Sequence, residues 1–207
     1  GNMKRGLGLV FIAAIMQLAP RSLSAAEVIH VGLAGLSGNL IHPFIARDQG
    51  FFQKYGIDAR LVVFEGGSVL SQAAIAGEVK FSITSGPVTI TSRSQGADTI
   101  IVASYMNVLP YSMVTAKGIA RWEQLKGKRV AISRFGSGTD TAVRLVLEKF
   151  NLDPAKDVTI VQLGAQPSRF AGLVNGAVDS TIIAPPFDVT AKKMGYNILA
   201  NIAELGI

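Results

Sequence analysis

The 207-residue sequence contains no cysteine. That absence excludes disulfide bonds, cysteine-ligated zinc sites, a thiol nucleophile and an N-terminal lipidated cysteine. Histidine is almost as scarce, since His30 and His42 are the only two. We expect His30 to be a packed strand residue, and two histidines without a cluster of acids predict no metal site. Charged residues make up 16% of the chain and hydrophobic residues 49%, which favours a folded protein over a disordered one.

The N-terminus has the pattern of a leader. The basic pair Lys4-Arg5 precedes an apolar run that Pro20 closes, and the small residues Ser24-Ala25-Ala26 follow. This order is typical of a secretory signal peptide over residues 1–26, cut before Glu27. The apolar run is too short for a membrane anchor, and no later run is long enough to span a bilayer. We therefore expect export to the periplasm.

Half of the excess of basic over acidic residues in the chain lies in this leader. Three of the 20 basic residues and none of the 14 acidic residues lie there, so the rest of the chain has 17 basic against 14 acidic side chains. No cluster of lysine and arginine is interleaved with aromatic residues. The sequence therefore predicts no nucleic-acid partner.

Beyond the leader, strand-like runs alternate with helical ones, a pattern typical of parallel α/β sheets. Ser68 is placed to cap one helix, and we expect Trp122 to lie in a short surface turn packed on the second half of the chain. The predicted strands are Val28–Leu33, Ile57–Phe64, Val79–Thr84, Thr99–Ser104, Val130–Ser133, Val158–Leu163 and Ser180–Ala184.

The two halves of the chain repeat one pattern at a constant offset of 99 residues. This offset predicts two copies of one α/β unit, lobe 1 over residues 27–110 and lobe 2 over 111–207. We expect the hinge between them to include Leu109-Pro110-Tyr111-Ser112. The matching positions are Val31 with Val130, Phe64 with Leu163, and Gly77-Glu78-Val79 with Gly176-Ala177-Val178.

Small and polar residues follow the predicted strands and precede the predicted helices. Ligands of open parallel sheets bind beyond the carboxyl ends of the strands. The first turn of a helix also presents unpaired N–H groups, so two facing lobes would enclose a polar cleft. Turn and cap chemistry without a ligand is the alternative for each loop. The candidate ligand-binding residues are Ser37, Gly38, Asn39, Gly66, Gly67, Ser68, Ser85, Gly86, Ser137, Gly138, Thr139, Gln166, Ser168 and Pro186.

Charged residues near these loops extend the candidate site. Arg134 and Arg169 are each able to pair with an anion through two parallel hydrogen bonds. Glu65, Asp140 and Asp188 are the candidates for contact with a cationic group. A solvated loop charge is the alternative for each of the five.

Several motifs together resemble one protein family. The segment Ala46–Ile57 (ARDQGFFQKYGI) is similar to the corresponding segment of periplasmic solute-binding proteins of the sulfonate-, nitrate-, taurine- and thiamine-precursor-binding type. The resemblance covers residues 28–207 and implies a type II periplasmic-binding-protein fold, with two α/β lobes that close on a solute. The other matching motifs, in the family's order, are Glu65-Gly66-Gly67-Ser68, Ala76-Gly77-Glu78-Val79, Leu125-Lys126-Gly127-Lys128 and Pro185-Pro186.

The resemblance implies a function as well as a fold. It implies a monomeric carrier without catalysis or cofactor, whose solute is a small organic or inorganic anion or a small heterocycle. Its partner would be the membrane permease of an ABC importer. Two departures are visible: Lys80, expected on the surface, stands where the family has an acid, and the chain ends near where the family's chain returns to complete lobe 1. The resemblance thus implies that the C-terminal third is lacking.

An α/β enzyme on the same scaffold, such as a lyase or a transferase, is the alternative. A dinucleotide site at Gly136-Ser137-Gly138-Thr139 lacks its third glycine, and no acid ends the next strand at Leu163-Gly164. No G-x-S-x-G elbow is present for a serine hydrolase. A sensory input domain is a third possibility, but the sequence has no DNA-binding segment to support it.

Overall fold

The computed structural model describes residues 26–206. The signal peptide expected over residues 1–26 therefore lies, apart from Ala26, outside the described residues. Within the described range, none of the helices has both the length and the apolar character needed to cross a membrane.

Lobe 1 contains three strands and four helices. They are β1 (Glu27–Leu33), α1 (His42–Asp48), α2 (Phe51–Lys54), β2 (Ile57–Val63), α3 (Gly67–Ile75), β3 (Phe81–Ile83) and α4 (Gly86–Ser94). Lobe 2 contains five strands and three helices. They are β4 (Ser112–Thr115), β5 (Lys128–Ile132), α5 (Gly138–Lys149), β6 (Val158–Gln162), α6 (Gln166–Val174), β7 (Ser180–Ile183), α7 (Phe187–Lys193) and β8 (Asn197–Asn201).

Each lobe is built on its own sheet. The sheet of lobe 1 is parallel with the order β2-β1-β3, and the sheet of lobe 2 has the order β6-β5-β7-β4-β8. Strands β5, β6 and β7 are parallel, whereas β4 runs antiparallel to both of its neighbours. The predicted parallel-rich α/β architecture is confirmed, while the antiparallel strand β4 was not expected.

The two sheets share the register that the 99-residue offset predicts. In lobe 1, Val31 pairs with Leu61 on one side and Phe81 on the other. In lobe 2, Val130 pairs with Ile160 and Ser180. Each partner in lobe 2 is displaced by 99 residues from its counterpart in lobe 1. The repeat is therefore a repeat of backbone pairing and not only of sequence pattern.

Lobe 2 has the larger core. Met113, Val130, Ile132, Leu147 and Ile182 are all fully buried in it. Such burial of apolar side chains stabilises a fold by roughly 1.5–3 kcal/mol for each large residue. As predicted, the turn that carries Trp122 packs on this lobe, where the indole stacks on Phe150 at 4.0 Å between ring centroids.

Three local predictions for lobe 1 are wrong. Residues 99–104 form no strand; they are irregular, and the side chain of Val102 is 74% exposed. A run of β-branched residues forms a strand only against a pairing partner, and none of the described strands lies beside this run. His30 is exposed because only the carboxyl-terminal half of β1 is buried. Ser68 caps no helix: Gly66 occupies the cap position, without a side-chain bond.

The surface position expected for Lys80 is confirmed. Its side chain is exposed and its ammonium group lies 3.6 Å from a carboxylate oxygen of Glu27. The equivalent position in lobe 2 is Asp179, which accepts hydrogen bonds from the backbone N–H and Nε of Arg129. Burial alone would raise the pKa of Asp179, but these hydrogen bonds hold it below its ordinary value.

Candidate functional site

A cavity of about 900 Å³ lies between the two lobes. Its walls are the segments that follow the carboxyl ends of β1, β3 and β5, together with the first turns of α4, α5 and α6. The irregular stretch 98–111 covers one side. This is the edge at which open parallel sheets bind ligands.

Most of the predicted site residues line this cavity. The nine that do so are Ser37, Asn39, Gly67, Ser85, Gly86, Ser137, Gly138, Thr139 and Gln166. Two of the other five, Gly38 and Gly66, contact the facing lobe. Ser68 borders the lobe interface beside Gly136. Ser168 and Pro186 are exposed and lie outside the cavity. The role of the whole set in binding stays a prediction.

Several glycine contacts join the lobes across the cleft. The backbone N–H of Gly38 donates to the carbonyl oxygen of Pro185 at 2.9 Å. A Cβ atom on Gly66 would lie 3.0 Å from the hydroxyl oxygen of Ser133. A Cβ atom on Gly138 would collide with the Ser85 hydroxyl on the facing lobe. The lobes therefore approach each other closely where side chains are smallest.

An ion pair also bridges the lobes, between the Glu65 carboxylate and the Arg134 guanidinium. Both side chains are substantially exposed, at 59% and 40%. Because water and salt screen such a pair, its contribution to closure is small, about 0–1 kcal/mol.

The glycine pair at the start of α3 has two different causes. Gly66 has a φ of 149°, a backbone region that favours glycine. Gly67 lines the cavity, but a Cβ atom there would lie 2.7 Å from Thr84 Oγ1 and 2.8 Å from Val88 Cγ2. Both neighbours belong to lobe 1. The absence of a side chain at Gly67 is therefore required by packing within the lobe, whether or not a ligand binds.

Helix N-termini supply hydrogen-bond donors to the cavity. Helices α3, α4 and α6 begin there without a side-chain cap bond, so their first N–H groups are not used by a capping residue. Only α5 has such a cap among these four helices: the Ser137 hydroxyl accepts from Asp140 N at 3.4 Å. Uncapped N–H groups next to a cavity favour an electronegative ligand.

A cluster of hydroxyl groups lies on the lobe 2 wall. Ser133, Ser137 and Thr139 form three mutual hydrogen bonds of 2.8 Å each, and all three residues are buried. Thr139 also accepts from the backbone N–H of Ser133 at 2.9 Å. Hydroxyl protons rotate, so this cluster can either donate to or accept from a bound solute.

On the lobe 1 wall, two hydroxyl groups have no partner. Thr84 Oγ1 and Ser85 Oγ are both buried and make no hydrogen bond in the described structure. A buried unpaired hydroxyl costs about 1–3 kcal/mol. A ligand that accepts hydrogen bonds from these two groups would recover part of that cost.

Gln166 and Arg169 have different roles at the start of α6. The Gln166 side-chain amide makes two hydrogen bonds with the backbone of Ala184. Its N–H group donates to the Ala184 carbonyl oxygen at 3.0 Å, and its oxygen accepts from the Ala184 N–H at 2.9 Å. Arg169 is 3% exposed and lines the cavity. Burial lowers the pKa of Arg169 to about 10, an effect partly countered by nearby Tyr111. The guanidinium is therefore still charged at neutral pH.

Three buried or partly buried polar residues of the cavity wall are among those that sequence reasoning missed, namely Thr84, Tyr111 and Ser133. Burial raises the pKa of Tyr111, and the charge of Arg169 partly offsets that rise. The sequence predicts only a hinge at Tyr111 and only strand residues at Ser133 and Thr84. All three line the cavity. The available signal was position, since Thr84 directly precedes the predicted residue Ser85 and Ser133 directly follows β5.

A second hollow, of about 340 Å³, is lined by lobe 2 alone. It lies beside Trp122 and Leu199, and none of its lining residues follows the carboxyl end of a parallel strand. The cavity between the lobes is the better candidate site.

Curated relatives of this chain are binding proteins. The putative aliphatic sulfonates-binding protein of Bacillus subtilis (strain 168) is 30% identical over an alignment that covers 96% of this chain and 62% of that protein. The putative binding protein YtlA of the same organism is 24% identical, with 78% of this chain and 50% of that protein covered. The chain thus spans about half to three-fifths of the length of these relatives.

Solved structures of binding proteins share the fold. The alkanesulfonate-binding protein SsuA from Xanthomonas axonopodis pv. citri, bound to MOPS, matches with a TM-score of 0.72 at 23% identity, covering 88% of this chain and 64% of that one. The periplasmic nitrate-binding protein NrtA from Synechocystis PCC 6803 matches with a TM-score of 0.65 at 16% identity, covering 82% and 50%. These likenesses confirm the predicted type II periplasmic-binding-protein fold.

A family model agrees with the fold. The model described as NMT1/THI5 like matches residues 38–205. This range contains seven of the eight described strands, β2 to β8, and all the cavity-lining residues except those of the loop directly after β1. The chain therefore belongs to the NMT1/THI5-like family.

Proposed function

We propose that the protein is the solute-binding component of an ABC importer. In this function it captures a small solute between its lobes in the periplasm and delivers it to the membrane permease. Its relatives and structural neighbours include proteins named for binding sulfonates or nitrate, and these names support this class of protein. The proposal includes no catalytic step, no cofactor and no stable partner subunit.

One observation carries the proposal: the cavity is lined by hydrogen-bonding groups from both lobes. Lobe 1 contributes the unpartnered hydroxyls of Thr84 and Ser85, and lobe 2 contributes the hydroxyl cluster around Ser137. A solute of a few heavy atoms that contacts both walls is fully bound only when the lobes are together. Its binding energy therefore favours the closed arrangement.

Hinge closure is the mechanism that follows from this arrangement. The hinge of this proposal is residues 109–112, where the irregular stretch after α4 meets the start of β4. The polar contacts that close the mouth are one backbone hydrogen bond from Gly38 and one exposed ion pair at Glu65, beside the close approaches at Gly66 and Gly138. We expect contacts of this kind to leave the open and closed forms similar in free energy, so that the solute can decide the population.

The first test is native mass spectrometry of the purified protein, followed by calorimetry with any solute found. We expect a co-purified small molecule that rebinds reversibly and is recovered unchanged. Chemical conversion of the solute during prolonged incubation would refute the proposal in favour of an enzyme. Failure of every candidate sulfonate, nitrate, carboxylate and heterocycle to bind would also refute it.

A further inference from the structure

Arg169 is a buried cation without a buried anion. Its Nε and Nη2 groups donate to the carbonyl oxygen of Ile182, both at 3.2 Å, and Nη1 donates to the carbonyl oxygen of Gly164. No carboxylate of the described residues lies within ion-pair distance of it. Neutral carbonyl groups compensate a positive charge only in part.

The guanidinium retains donors for a ligand. An arginine has five N–H groups, and three of those of Arg169 are used by the two carbonyl groups. Nη1 and Nη2 each carry a second N–H, and the residue lines the cavity between the lobes. N–H groups of a guanidinium pair well with the oxygen atoms of a carboxylate, sulfonate or phosphonate group.

The other charged residues of the cavity wall are each paired. Glu65 pairs with Arg134, Lys80 lies 3.6 Å from Glu27, and Asp98 lies 3.9 Å from Arg93. Of the four charged residues among the cavity-lining residues, Arg169 is thus the one with no charged partner in the described structure. The wall therefore presents one uncompensated charge, and that charge is positive.

The repeat shows that the fold does not require a charge at this position. The residue 99 positions earlier, at the same place in the corresponding helix of lobe 1, is Leu70, which is fully buried. One copy of the unit thus has an apolar core residue where the other has a guanidinium. A purely structural position in this helix can be filled by leucine, so the charge in lobe 2 needs a separate explanation.

We propose that Arg169 determines the solute class, by binding the oxyanion group of an anionic solute at the lobe 2 wall while Thr84 and Ser85 donate hydroxyl hydrogen bonds from lobe 1. This proposal rests on the proposed function and specifies its ligand. It favours a small organic acid over an uncharged heterocycle. The two hydroxyl groups are buried and have no hydrogen-bond partner in the described structure, so both are able to donate to a bound solute.

The test compares charged and neutral probes of the same shape. The probes are ethanesulfonate against ethanesulfonamide and propionate against propionamide, with 2-methylpyrimidin-4-amine as a heterocycle, each titrated by calorimetry. The variants are Arg169→Leu, which copies the lobe 1 residue Leu70, and Arg169→Lys, which retains a cation. Melting temperature is measured for each variant without any probe.

We expect the parent protein to bind at least one anionic probe at least tenfold more tightly than its amide. Arg169→Leu should lose that preference and melt below the parent temperature, because the carbonyl oxygens of Gly164 and Ile182 lose their guanidinium donors. Arg169→Lys should keep a preference for the anion, and it remains informative if the leucine variant fails to fold. An unchanged anion preference in a folded leucine variant would overturn the proposal.

The outcomes separate this proposal from the proposed function. Binding of the pyrimidine but of neither anion, with affinity unchanged in Arg169→Leu, would overturn the role of Arg169 and leave a solute-binding protein. Equal weakening of anion and amide binding in both variants, with lowered melting temperatures, would show that Arg169 is a structural residue only. No binding by any probe and no co-purified solute would refute the proposed function itself.

Discussion

Replacing Gly138 with alanine adds one methyl group at a contact between the lobes. The new Cβ atom would collide with the hydroxyl oxygen of Ser85 and lie 2.9 Å from its Cβ atom, which is closer than real side chains approach. Tyr111 Oη, 3.4 Å away, limits the space on another side. The lobes must therefore separate slightly before the methyl group fits.

The local backbone of lobe 2 accepts the change. Gly138 is the first residue of α5 and does not have a positive φ, and alanine is favoured over glycine in helices by up to about 1 kcal/mol. The substitution instead raises the free energy of the arrangement in which the two lobes are closed. Forcing one extra carbon into a packed contact typically costs about 1–3 kcal/mol, which corresponds to solute binding weakened about fivefold to about 150-fold.

Gly86→Ala is the matched control. Gly86 also begins a helix at the cavity, but a Cβ atom there would meet no atom within 4 Å. We expect this variant to leave the closure of the lobes unchanged, because its Cβ atom meets no group of the other lobe, and a change in its affinity alone would report a methyl group inside the cavity. The comparison removes the general effect of exchanging glycine for alanine at the start of a helix.

Closure can be measured without knowing the solute. Because the chain has no cysteine, two introduced cysteines, at the exposed positions Gln72 and Lys149, accept a pair of distance labels at these sites alone. We expect Gly138→Ala to shift the label distances toward longer values at an unchanged or raised melting temperature. A Gly138→Ala protein with parental distances and parental affinity would refute the steric argument.

Four further substitutions test other contacts. Glu65→Gln removes the ion pair across the cleft and should weaken solute binding at most about fivefold, with the difference vanishing in 1 M salt; a larger, salt-independent loss would contradict the screened-pair account. Asp179→Asn should lower the free energy of unfolding by about 0.5–1 kcal/mol at neutral pH, because Arg129 depresses the Asp179 pKa. A carboxyl group with a depressed pKa stabilises the folded state at pH values above its ordinary pKa of 3.8. Urea titrations should therefore show the difference in unfolding free energy between the parent and Asp179→Asn closing as the pH falls through the lower folded-state pKa. A difference that grows in acid would contradict this account of Asp179. Ser137→Ala removes a helix cap and should cost about 1–2 kcal/mol. Ser85→Ala removes no cap bond and takes away a buried unpaired hydroxyl, so it should leave the melting temperature unchanged or raise it; equal losses in the two variants would contradict the cap assignment.

The repeat was the most reliable information in the sequence. A constant offset between Val31 and Val130 predicted not only two lobes but also equivalent strand pairing, because side chains alternate along a strand and register must follow the buried positions. The sequence did not predict the antiparallel strand β4, because this strand lies outside the repeat. Ser112–Thr115 is four residues long and has no counterpart in the repeat, so neither periodicity nor offset indicated it.

The site was predicted in outline but not in detail. Loop position correctly brought Ser37, Ser85 and Ser137 to one cavity, because the carboxyl ends of parallel strands share an edge. The sequence did not distinguish Gly67, which packs within its own lobe, from Gly138, which contacts the other lobe. That difference depends on which way each Cα–Cβ bond would point after the lobes meet.

The burial of Arg169 was equally inaccessible from the sequence. Arg134 and Arg169 both lie near predicted loops, and each was a candidate for either a ligand contact or a solvated charge. The two side chains have different partners in the folded protein. Arg134 pairs with Glu65 on the other lobe, whereas Arg169 donates to backbone carbonyl groups inside lobe 2. Neither partner is close in the sequence.

The shared register of the two sheets has a practical consequence for engineering. The lobe 1 wall contributes small hydroxyl side chains and backbone at Gly67, which the packing of that lobe restricts. The lobe 2 wall carries larger polar groups on an equivalent frame, at Thr139, Gln166 and Arg169. A combinatorial library confined to those three positions would vary the chemistry of one wall while lobe 1 stays constant. The duplicated unit thus separates the part of the molecule that can diverge from the part that preserves its geometry.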